Sequence, residues 1–210
     1  MDAKMKNMVM AGMAALCLIL GIMAAMGATW QTPEDTDDME DGMDMGMSLS
    51  AMWMSMDLED ETTCEELLDM GDDDMGESEC DSDGVMTMTM AFSDICDDED
   101  DDDACTMATA GTIGTIGMWA GIVCALLVTL TLVLPMAGVD AMDAMPDMGK
   151  MITSWGAGAL MLVGTLAYLM MTPEDMSEEM AMGMSAMMAL GAALLGLAAA
   201  AMDQFMDADE

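Results

Sequence analysis

Four stretches of this chain contain no charged residue in their cores, and that segregation limits the fold more than any motif does. Met8 to Thr29 reads MVMAGMAALCLILGIMAAMGAT without an acidic or basic side chain. About 20 consecutive apolar residues cross a bilayer as a helix, so this run is long enough. A second span falls within 106–139, densest at Met118–Pro135, a third at Met151–Met171 and a fourth at 180–202. Hydrophobic residues reach 54% although charged residues reach 21%, and two such populations kept apart along a chain form a membrane pattern. The expected fold is an all-α transmembrane four-helix bundle with a small, disulfide-stapled outer loop domain, partly β or irregular. Its segments are the N-terminus and first span at 1–29, the loop domain at 30–105, the second span at 106–139 and an inner loop at 140–150. The third span at 151–171, an outer turn at 172–179, the fourth span at 180–202 and an acidic tail at 203–210 follow.

The first span has a rival reading as a cleaved signal peptide covering residues 1–28. Lys4 and Lys6 supply a basic leader and Ala25-Met26-Gly27 a small-x-small site, but the run exceeds the roughly 7–15 residues of an ordinary signal core. Its length favours a retained helix. The three lysines are Lys4, Lys6 and Lys150. With four spans they share one side, which the positive-inside rule makes cytoplasmic. Both termini are then cytoplasmic and residues 30–105 and 172–179 extracytoplasmic. Trp30 and Tyr168 fall near the outer interface and Trp155 near the inner one, as aromatic anchors would.

Charge excludes several functions. The chain has 41 acidic residues, three lysines, no arginine and no histidine. A nucleic-acid partner is excluded because phosphates need cations. Without histidine the commonest general base and metal ligand is missing, and without arginine the bidentate anion clamp is missing. A non-enzymatic protein that requires no cofactor is expected, with the lipid bilayer as its first partner. Residues 30–105 hold 29 of the acidic residues and no basic one. Their self-repulsion relaxes in strong salt, where the Debye length shrinks to about 3 Å at 1 M, so a halophilic setting fits, as does cation binding. A solvated, partly unstructured acidic surface is the plainer account.

Four of the six cysteines lie in that loop: Cys64, Cys80, Cys96 and Cys105. On an oxidising side they read as two disulfides. Three connectivities exist, and loop-closure entropy favours neighbours, Cys64–Cys80 and Cys96–Cys105. Cys17 and Cys124 fall inside spans as apolar thiols. The alternation Val85-Met86-Thr87-Met88-Thr89-Met90 marks a strand, and 58–70 reads as a short amphipathic helix.

Two metal readings compete with a purely structural one. Asp81-Ser82-Asp83-Gly84 resembles the middle of a Ca²⁺ loop, yet in a register starting at Glu79 the twelfth position is Met90 rather than Glu. Asp97, Asp98, Glu99 and Asp100, in an acidic run reaching Asp103, could add carboxylates to a weak Ca²⁺ site. Met43, Met45, Met47, Met52, Met54 and Met56 are spaced like the clusters that take Cu⁺ through soft thioethers. Methionine is nonetheless no denser in the loop than elsewhere, and its use as an adaptable apolar filler explains the cluster better.

Small residues recur four apart at Gly21/Ala25 and Ala192/Gly196/Ala200, a spacing that lets helices approach closely in lipid and offers faces for a protein partner or a homo-oligomer. The tetrapeptide Thr-Pro-Glu-Asp occurs at 32–35 and at 172–175, each copy followed by Met-Gly-Met-Ser. Threonine as cap, proline in the first turn and acids at the positive end of the dipole make a helix start. Two copies on one side also fit duplication of a two-helix hairpin. Finally, Trp30 just after the first span, Leu49 and Trp53 in the loop, and the following Cys64 and Cys80 resemble the arrangement in claudin-like tetraspan proteins. Met56 stands where that pattern has cysteine, and the Cys64–Cys80 interval is longer. The resemblance implies four helices, a long first outer loop and a structural role. Together these features point to a membrane protein of structural or interaction function, with metal or cation handling as the alternative.

Overall fold

The computed structural model describes residues 3–34, 42–58, 61–70, 77–99, 102–136, 138, 146–173 and 180–206. Among the described residues four helices are long and apolar enough to cross a membrane: α1 (Ala3–Met26), α4 (Asp102–Met136), α5 (Asp147–Met171) and α6 (Met184–Met206). Between α1 and α4 lie β1 (Gln31–Pro33), β2 (Met43–Met47), β3 (Ala51–Asp57), α2 (Glu61–Met70), β4 (Glu77–Cys80), β5 (Val85–Ala91) and α3 (Phe92–Glu99). One further strand, β6 (Met180–Met182), lies between α5 and α6. The chain divides into two compact units. One comprises Met1–Met26, Ile113–Ala167 and Ser185–Glu210, the other Gly27–Thr112 and Tyr168–Met184.

The helical unit is held by close backbone approach. A Cβ on Gly158 of α5 would fall 2.5 Å from the Leu197 amide nitrogen of α6, and one on Gly117 of α4 would fall 2.7 Å from the Gly164 Cα of α5. Nothing larger than hydrogen fits these crossings, and such intimacy is how helices gain dispersion contact where lipid already satisfies their apolar surface. The stripe Ala192/Gly196/Ala200 is buried, with Gly196 against Gly158 and the Cys17 Sγ of α1. Gly21 meets Met161 and Ile122. These small-residue faces are therefore occupied within the chain itself. The outward side chains are large and apolar, as with Ile116, Val163 and Leu194, each more than 60% exposed. Water would penalise such a surface; hydrocarbon accommodates it, because the helical backbone satisfies its own polar groups.

The other unit is built on one antiparallel sheet of order β4-β5-β3-β2-β1-β6. The expected strand at 85–90 is β5, and the expected helix at 58–70 is α2 from Glu61. Strands β2 and β3 carry the same period-two alternation, so a half-buried pleat is their natural state.

Helix boundaries differ from the sequence reading mainly at the starts of the last three spans, the third beginning at Asp147 rather than 151. The fourth helix starts at Met184 rather than 180 because Met180–Met182 pairs as β6 with β1, in the register Gln31↔Met182, Thr32↔Ala181 and Pro33↔Met180. The second helix starts at Asp102 rather than 106, where Asp102 and Asp103 complement the positive end of its dipole. The Thr-Pro-Glu-Asp copies do not start helices among the described residues. Thr32 and Pro33 belong to a strand, and the Thr172 hydroxyl donates to the Tyr168 carbonyl at 3.1 Å, closing the end of α5. What the two copies share is proximity: Gln31 Nε2 donates to Thr172 Oγ1 at 3.0 Å.

Candidate functional site

Both expected cysteine pairs are at disulfide distance. Cys64 of α2 meets Cys80 of β4 with Cα atoms 6.0 Å apart, and Cys96 of α3 meets Cys105 of α4 at 4.7 Å. The first pins a helix to an edge strand of the sheet, and Cys64 is fully buried. The remaining thiols, Cys17 and Cys124, lie on membrane-length helices, the former buried and the latter half-buried.

Two of the aromatic residues expected at the headgroups are in contact with each other. Trp30 and Tyr168 are both completely buried, with ring centroids 5.4 Å apart in a T-shaped contact. The Tyr168 hydroxyl donates to the Ser48 carbonyl at 2.9 Å, and the Trp30 amide donates to the Met47 carbonyl at 2.7 Å. Edge-to-face packing of this kind stabilises beyond area burial. These two side chains belong to the buried core of the sheet unit. Leu49 is buried as well, and Trp53 Nε1 donates to the Ala28 carbonyl at 2.9 Å. Gly111 is required here, because a Cβ would lie 1.7 Å from the Leu49 carbonyl oxygen. Trp155 is half-buried. It lines a cavity of about 280 Å³ with Lys150, Ser154, Asp203 and Gln204 in the helical unit. An adjoining cavity of about 270 Å³ adds Thr131 and Met10. The first lies between the start of α5 and the end of α6, and the second also takes in the last turns of α4.

The expected Ca²⁺ residues do local work. Asp81 accepts a hydrogen bond from the Asp83 amide through its carboxylate, its own amide donates to the Val85 carbonyl at 3.0 Å, and Gly84 takes a φ of 84°. This is an Asx turn closing the β4–β5 hairpin. Asp81, Asp83 and Asp97 are exposed. The Asp98 and Glu99 side chains and all of Asp100 lie outside the described residues. Among the described residues no three Asp, Glu or Cys side chains converge as a metal site.

The methionines are brought together most completely. In β2 and β3, Met43 pairs with Met56, Met45 with Met54 and Met47 with Met52. In β5, Met86, Met88 and Met90 pair with Met56, Met54 and Met52. Paired residues share a face, so nine methionines stand in three cross-strand rows of three. Three of them, on β5, were not part of the expected cluster; the signal for them is the same period-two alternation that marks the strand. Met45, Met52, Met54, Met88 and Met90 line an apolar cavity of about 240 Å³ with Trp53. The sequence matches no known protein family, and comparison with curated proteins finds no relative.

Proposed function

We propose that this chain is a non-enzymatic four-helix membrane protein whose sheet unit lies outside the cytoplasm and serves a structural or protein-interaction role. The pairing of β1 with β6 carries this reading. One strand follows the first span and the other precedes the fourth, so they can hydrogen-bond only if both segments emerge on the same side of the bilayer. Four crossings satisfy that condition. Two cysteine pairs at disulfide distance fit an oxidising compartment, and Lys150 in the first turn of α5, after the second span, fits the cytoplasmic side.

The claudin-like resemblance belongs to the same proposal. Its support is the joint placement of Trp30, Leu49 and Trp53 on the sheet unit, with Cys64 and Cys80 stapling the segment that follows. A transport role has less support, since ionisable residues within spans mark ion paths and the central parts of these helices carry none. Photo-crosslinking amino acids at the exposed Ser82 and Asp94, combined with ion-flux assays in proteoliposomes, test the function. A discrete protein adduct from intact cells and no flux are expected. Monomer alone at both positions together with measurable flux would replace this reading by ion handling.

A further inference from the structure

We propose that the methionine face of the sheet is a thioether site for a soft monovalent metal ion, Cu(I) or Ag(I), centred on Met45, Met54 and Met88 with Met52 and Met90 beside them. The register puts the first three in one row across β2, β3 and β5, and the other two in the next row. All five border the same cavity of about 240 Å³. Directly opposed residues hold their Cβ atoms about 4.5–5.5 Å apart. An unbranched side chain with three rotatable bonds can bring its sulfur from that distance to a shared point.

Use of methionine as an apolar filler does not account for this face. The chain has 37 methionines and almost as many leucines, isoleucines and valines combined. At the nine positions that β2, β3 and β5 contribute to this face every residue is methionine, with Ser78 and Cys80 of β4 and Gln31 of β1 at its edges. Strands favour β-branched residues, and the chain uses them in β5, where Val85, Thr87 and Thr89 occupy the opposite face. Burial alone would be served at least as well by valine or isoleucine. What methionine adds is a polarisable sulfur donor.

The surroundings select the metal. Thioethers favour Cu(I) over hard cations, which take oxygen ligands. The four cysteines of this unit are paired at disulfide distance, which leaves thioethers as its sulfur donors. The chain's net charge of −38 raises the local concentration of any cation. The inference rests on sheet register and is independent of the function proposed above.

The full-length protein in detergent, carrying Cys17→Ala and Cys124→Ala to remove competing thiols, should be titrated with Ag(I), and with Cu(I) against a chromophoric chelator. Sub-micromolar binding with a sulfur-only coordination shell by X-ray absorption is expected. Replacing Met45, Met54 and Met88 together by leucine keeps apolar volume and removes sulfur. It should weaken binding by about tenfold or more, equivalent to about 1.4 kcal/mol. Leucine at Met184 and Met187 of α6 should leave affinity unchanged. If the triple variant fails to fold, the Met52→Leu/Met90→Leu pair at the same cavity decides by the same criterion. Binding no tighter than micromolar, or leucine variants that bind as well as the parent, would overturn the proposal and leave the face as apolar packing.

Discussion

Replacing Trp30 by alanine is expected to destabilise the sheet unit by about 3–5 kcal/mol, the range for a large buried aromatic. Trp30 is completely buried, packs edge-to-face on Tyr168, and lies immediately before β1, where its amide donates to the Met47 carbonyl. Its loss empties the contact that brings the segment after the first span against the end of α5. Hydrogen exchange of the β2 and β3 amides measures the effect. Every 1.4 kcal/mol is tenfold, so protection should fall by about two to three and a half orders of magnitude if those strands open with the whole unit. A headgroup anchor would behave differently, because its removal would leave exchange in the sheet nearly unchanged.

Removing the Cys64–Cys80 bond by double serine substitution should produce a loss of similar size. The bond closes a loop with a sequence separation of 16, and constraint of the unfolded chain over such a loop is worth about 3 kcal/mol. It also holds α2 to β4, so α2 is the element expected to detach first. The acidic loop magnifies the effect at low ionic strength, where like charges repel unscreened. Urea unfolding followed by near-UV circular dichroism should show the midpoint falling, and falling further in dilute buffer than in molar salt. An unchanged midpoint in both buffers would mean that the sheet unit does not depend on this staple.

Much of the architecture is legible from local pattern. The four long helices are announced by uncharged runs, and Val85–Met90 is announced by alternation, because hydrophobic period is a property of neighbouring residues. The cysteine pairing is legible for the related reason that short loops close at low entropic cost. What is not legible depends on residues far apart in sequence. Strand β6 has three residues and no pattern of its own; it exists because Gln31–Pro33 pairs with it. The same pairing overrides the helix-start character of Thr32-Pro33, which is a local preference of modest energy. Trp30 and Tyr168 satisfy the composition of an interface belt, and only their contact across 138 positions of chain shows them to be core. The methionines illustrate a third case. The alternation in 43–56 is as plain as that in 85–90, but the register that joins the two into one face is a tertiary fact.

The central claim is that the segments following the first span and preceding the fourth share the non-cytoplasmic side. Single cysteines introduced at Ser82, at Met182 and at Gln204, in a background lacking Cys17 and Cys124, test it by labelling of intact cells with a membrane-impermeant maleimide. Ser82 and Gln204 are exposed, and Met182 is 41% exposed. Labelling at 82 and 182 before permeabilisation, and at 204 only after it, is the predicted result. Labelling of 82 and 182 from opposite sides, or of 204 in intact cells, would contradict it.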